Sequence, residues 1–112
     1  MAQVNLSGYK NIYLQTAKEY VNNLLSGYLS LSTNSQDADA MKTIHLSSHS
    51  LKSQSQVMGF TNIVNLCVNL EKVSDDILNG VFKVDVEFTV LLKKTIDELS
   101  LELASIEKRG AE

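Results

Sequence analysis

No proline interrupts this 112-residue chain, and its glycines number only five. That shortage constrains the fold more than any motif does, because proline and glycine are the residues that end helices and close tight turns. A many-stranded β fold needs frequent turns, whereas few breakers and 44% apolar residues favour long helices. The apolar residues recur at three- and four-residue steps, which place side chains on one face of a helix. Four such stripes run over about residues 7–31, 36–58, 61–79 and 85–108.

The first stripe takes in Tyr9, Tyr13, Ala17, Tyr20, Leu24, Tyr28 and Leu31, and so holds all four tyrosines. A tyrosine row can serve as a stacking platform; with an apolar body and a polar tip, it also suits a core whose hydroxyls reach the rim, and that is the expectation here. Ser32-Thr33-Asn34-Ser35 offers N-capping side chains before the second helix. In that helix Ala40, Ile44, Leu51 and Met58 make a narrow apolar line with Ser47 and Ser55 beside it, and Gly59 is placed to end it. Ile63, Leu66, Leu70, Val73 and Ile77 stripe the third helix, with Thr61 expected as its N-cap and Asn79-Gly80 as its stop. Phe88, Leu92, Thr95, Leu99, Leu103 and Ile106 stripe the fourth, with acids near its start and Lys108-Arg109 at its end, as the helix dipole favours.

Four amphipathic helices joined by short connections are most simply buried as an all-α, antiparallel up-down four-helix bundle, a single domain spanning 1–112. A net charge of -3 argues against nucleic acid, and Lys42 and Lys52 are the only basic side chains besides histidine between residues 19 and 71. No apolar run nears the roughly 18 residues of a membrane span, and Met1–Asn5 lacks the start of a signal peptide. The lone Cys67 cannot form an internal disulfide, reads as a small buried hydrophobe, and suits a reducing compartment. A soluble cytoplasmic domain is expected.

Chemistry concentrates in the second and third helices. Placing residues 100° apart puts His49 almost opposite Leu51, on the side shared by Lys42, His45, Lys52, Ser53 and Gln56. Ser47, Ser48, Ser50, Ser53 and Ser55 are poor helix formers that keep the surroundings of His49 small enough for another protein to approach. An imidazole nitrogen can carry a phosphoryl group if a carboxylate accepts from the other ring nitrogen and so holds the tautomer. Glu71, on the flank of the third stripe, can reach round to do this, and Lys52, three residues after His49, can offset charge on phosphoryl oxygens. Each of the three residues alone also fits an ordinary solvated helix face; their combination favours the chemical reading.

The stretch HSLKSQSQVMGF, from His49 to Phe60, resembles the histidine-containing phosphotransfer (HPt) domain, most closely the N-terminal phosphotransfer module of CheA-type chemotaxis histidine kinases. The resemblance runs without gaps from Tyr9 to Gly80, through Ala17, Glu19, His49, Lys52, Gly59-Phe60 and Glu71, and reaches the fourth helix by pattern only. It implies a helical bundle that accepts phosphate from an ATP-bound kinase domain and donates it to an aspartate of a response-regulator receiver. His49 would then be the phosphoacceptor, Lys52 the cation on the phosphate side, and Glu71 the partner of the ring. His45, Ser53 and Gln56 would belong to the docking surface. No cofactor is expected in the domain itself, the magnesium ion being the receiver's. Two departures stand out: Ser53 occupies a position often filled by glycine, and Val68 occupies one where chemotaxis kinases can carry a second histidine.

Three readings remain at this stage. A phosphocarrier without enzymatic activity of its own is favoured, since the chain has no glycine-rich nucleotide loop. A docking module of the same shape needs none of His49, Lys52 and Glu71. A metal protein has His45 and His49 at helical i, i+4 spacing but no third histidine and no facing acid pairs, so no metal site is expected.

Overall fold

In the computed structural model, which describes residues 6–112, four helices follow one another: α1 Leu6–Thr33, α2 Ala38–Met58, α3 Thr61–Leu78 and α4 Val86–Arg109. The reading of Met1–Asn5 lies outside the described residues. The helices run alternately up and down. Along α1, Tyr13 meets Ser55 and Gly27 meets Ile44, so partner numbers on α2 fall as those on α1 rise. The result is an antiparallel four-helix bundle, elongated at 52 × 23 × 19 Å.

The helix ends have identifiable causes. The hydroxyls of Ser32 and Thr33 do not cap α2 but donate back to Tyr28 O and Leu29 O, which keeps them in the last turn of α1. Asp37 caps α2 instead, accepting from Ala40 N at 3.0 Å, so α2 begins at Ala38 rather than near Gln36. Its other end closes at Gly59, whose φ of 77° is the left-handed value that glycine adopts without a Cβ clash. Thr61 is the first residue of α3 rather than its cap, and Phe60 at the cap position supplies no side-chain acceptor. The acceptor comes from the far end of the chain: the Glu112 carboxylate takes hydrogen bonds from Asn62 N (3.1 Å) and Ile63 N (2.7 Å). Asp85 caps α4 through Phe88 N, and Lys108 and Arg109 fall in its last turn.

Leu24, Ile44, Leu51, Ile63, Leu70, Leu92, Leu99 and Ile106 are fully buried and carry most of the hydrophobic stabilisation. The fourth stripe is buried as expected, joined by Ile96. The first differs. Tyr13 is buried, Tyr20 and Tyr28 are half-buried, and Tyr9 is exposed, while Leu14 and Val21 enter the core. Both lie on the side of α1 that faces α4, so a helix packed against two neighbours buries a wider arc than one line of residues covers.

Small residues line the α2–α3 seam. Ser48 and Ser55 of α2, and Cys67 and Ser74 of α3, are fully buried. Ser48 and Ser74 donate their hydroxyls to carbonyls of their own helices, Ile44 O at 2.8 Å and Leu70 O at 2.6 Å. Ser55 is paired with Tyr13 OH at 2.7 Å. Polar atoms satisfied in this way cost little to bury, and short side chains let the two helix surfaces approach. α4 touches α1 and α3 but not α2, so it lies diagonally across the bundle from the helix that carries His49.

Candidate functional site

His49 sits near the middle of α2 and points away from the core, its side chain 56% exposed. Its Nδ1 meets Oε1 of Glu71, which reaches it from α3. The other oxygen of the same carboxylate, Oε2, accepts from Lys52 Nζ at 2.6 Å. Glu71 and Lys52 are far less accessible than the ring, at 17% and 21%. One carboxylate therefore bridges two successive turns of α2, and the seam of small residues brings α3 close enough for it to do so.

This arrangement assigns the ring's protons. An ionised carboxylate can only accept, so Nδ1 must be the donor, and in the neutral ring Nε2 then keeps its lone pair and faces solvent. Glu71 is held ionised. Burial pushes its carboxyl up, but the hydrogen bonds from Lys52 and His49 and the attraction of their charges outweigh it, and the group titrates below its ordinary value. What results is a nucleophilic nitrogen on a rigid helix, with the opposite nitrogen anchored. In this conformation the Lys52 ammonium is engaged with Glu71.

Around the ring runs a shallow groove of about 450 Å³, lined by His45, His49, Val68, Glu71, Lys72 and Asp75. It is open along its length, a shape that presents a reactive group rather than enclosing a ligand. Of the residues singled out for docking, Ser53 and Gln56 are exposed on α2. His45 is half-buried one turn before His49, and its buried Nδ1 has no hydrogen-bond partner among the described residues. Val68 borders the groove. Lys72, paired with Asp76 at 3.2 Å, and Asp75 were not singled out from the sequence. The available signal was helical spacing, since Asp75 lies four residues beyond Glu71 on the same face. Among the described residues no group of three or more His, Cys, Asp or Glu side chains is placed to hold a metal ion, and no helix is long and apolar enough to cross a membrane.

Beneath the site two groups are locked in their neutral forms. Burial pushes the Cys67 thiol up to about 12, with the nearby Glu71 charge adding to the effect. Burial likewise raises Tyr13 to about 12, against the hydrogen bond to Ser55 that lowers it. Tyr13 also packs on Phe60, ring centroids 5.1 Å apart, which ties α1 to the α2–α3 turn.

The Hpt domain family matches residues 8–102. The chemotaxis protein CheA of Bacillus subtilis (strain 168) is 27% identical over 103 residues, a match that covers 92% of this chain. The chain spans only 15% of that relative's length. Among solved structures, the CheA phosphotransferase domain from Thermotoga maritima superposes with a TM-score of 0.86 at 24% identity, covering 92% of this chain and 98% of that one.

Proposed function

The chain belongs to the Hpt domain family, histidine phosphotransfer modules of two-component signalling, and from that premise we propose that His49 is its phosphoacceptor. In this reading the Nε2 lone pair attacks the γ-phosphorus of ATP held in a partner kinase domain. An N–P bond forms, the P–O bond to ADP breaks, and Glu71 stabilises the positive charge that develops on the ring through the Nδ1 proton. In the second transfer a receiver aspartate attacks the phosphorus and the imidazole leaves with the N–P electron pair. Lys52 keeps Glu71 in place and is close enough along the helix to offset charge on the phosphoryl oxygens as a mobile cation. The domain acts as a phosphocarrier with no catalysis of its own, its proposed setting is the cytoplasm, and the magnesium ion of the second step belongs to the receiver. His45, Ser53 and Gln56 contribute to the surface on which the partners dock.

The observation that carries this reading is the exposed ring with Nδ1 held by Glu71 and Nε2 free. The test is incubation with a cognate kinase and ATP, followed by an assay for acid-labile, base-stable phosphate. Wild-type protein should accumulate it, and His49→Gln should accumulate none while its circular dichroism is unchanged. Phosphate on the variant would move the chemistry to another residue, and none on the wild type would favour a docking module.

A further inference from the structure

The outward face of α4 carries a pattern that the phosphotransfer reading does not use. Val90, Lys94, Asp97 and Leu101 follow one another at steps of four, three and four residues. At 100° per residue they fall within an arc of about 60°, opposite the buried stripe. Val90 is 61% exposed and Leu101 is 72% exposed. With Lys93 and Asp97 they border one shallow groove against Tyr28 of α1. Tyr28 brings α1 into that groove, so the surface extends beyond a single helix.

The order of these residues is its own complement. Turning a second α4 end for end about a two-fold axis between Thr95 and Ile96 sets Val90 against Leu101 and Lys94 against Asp97, each pair occurring twice. Lys94 makes no ion pair among the described residues. Asp97 accepts from Lys93 of its own helix through Oδ1 at 2.8 Å, which leaves Oδ2 for another cation. A parallel pairing would set like charges together, and a shift by one turn would set charges against apolar side chains, so the pattern selects one register.

We propose that this face of α4 is a self-association surface, at which two copies of the chain pair antiparallel with Val90 on Leu101 and Lys94 on Asp97. The contact is isologous, as a two-fold dimer requires. Because α4 does not touch α2, the two His49 rings point away from the interface and both stay open to partners. An interface one helix wide lies at the small end of specific interfaces, about 1,000 Å² in total, a size typical of weak and transient association.

Sedimentation equilibrium over roughly 20 µM to 1 mM tests the proposal, with a weight-average mass rising toward the dimer expected for the wild type. Val90→Asp, at an exposed site that leaves the core intact, should raise the dissociation constant at least about tenfold. The charge variants test the register. Lys94→Asp and Asp97→Lys, each alone, set like charges together and should stay monomeric, whereas an equimolar mixture restores both pairs and should associate as a heterodimer. A wild type that is monomeric throughout this range overturns the proposal, as does association that survives Val90→Asp or a mixture that stays monomeric. None of these residues contacts His49, Lys52 or Glu71, so either outcome leaves the phosphotransfer reading where its own test puts it.

Discussion

Glu71→Gln is the sharpest perturbation of the site, because it keeps the shape of the bridge and removes its charge. The carboxylate accepts from Lys52 at 2.6 Å and from the ring of His49, two bonds with a charged acceptor. A charge-assisted bond contributes about 1.5–3 kcal/mol against about 1 for a neutral one. The His49 side chain is more than half exposed, so screening reduces its share, and a loss of about 2 kcal/mol in total stability is expected. The chemical effect is separate. A glutamine amide can donate as well as accept, so it no longer obliges Nδ1 to hold the proton. Losing about 1.4 kcal/mol of bias lowers the ratio of the two tautomers about tenfold, so the share of rings with a free Nε2 falls and phosphorylation should slow in proportion to that share. Long-range proton–nitrogen NMR of the ring reads the tautomer, and the rate of phosphate uptake reads its consequence. The pH dependence has a definite sign. Glu71 titrates below its ordinary 4.5, so its contribution to stability is complete above that value and is lost as pH falls through the lower folded value. Wild type and variant should therefore converge in acid. A variant with the wild-type tautomer, uptake rate and stability at neutral pH would refute the argument.

Other outcomes follow from the packing and the caps. A Cβ at Gly27 would stand 2.7 Å from Cγ1 of Ile44, so Gly27→Ala should cost about 1–3 kcal/mol in urea unfolding despite alanine's better helix propensity; a stabilised variant would refute the close approach of α1 and α2. Glu112→Ala removes the acceptor for the first amides of α3 and should cost about 1 kcal/mol, with faster hydrogen exchange at Asn62 and Ile63; unaltered exchange would refute the cap. The Cys67 thiol, fully buried and raised to about 12, should resist aromatic disulfide reagents at mildly alkaline pH until the protein is unfolded; prompt stoichiometric labelling of the native protein would contradict its placement.

The parts of this structure legible in the sequence are those governed by local periodicity. The fourth stripe, Phe88 to Ile106, is buried as read, and Gly59 takes the left-handed conformation its position suggested. The side of α2 opposite Leu51 does present His49, and Glu71 on the flank of its stripe does reach across to it. What escaped the sequence depends on contacts between distant residues. Nothing local marks Leu14 and Val21 as core, because their burial is decided by where α4 lies. Thr61 has the chemistry of a cap, yet a carboxylate 51 positions along the chain takes that role. The serines of α2 were read as clearing space for a partner, but Ser48 and Ser55 face inward, and the space they leave is filled by α3 and by Tyr13.

Those inward serines, with Cys67 and Ser74, act as a spacer whose thickness is one or two heavy atoms per side chain. A leucine at Ser48, Cys67 or Ser74 would wedge the helices apart and carry the acid out of reach of the ring, although no reacting atom had been altered. The chain is thus divided into a hidden part that admits almost no change in volume and an outer part free to vary. Variation in the recognition of partners can accumulate at Leu46, Ser53, Gln56 and Val57 without disturbing the alignment beneath them.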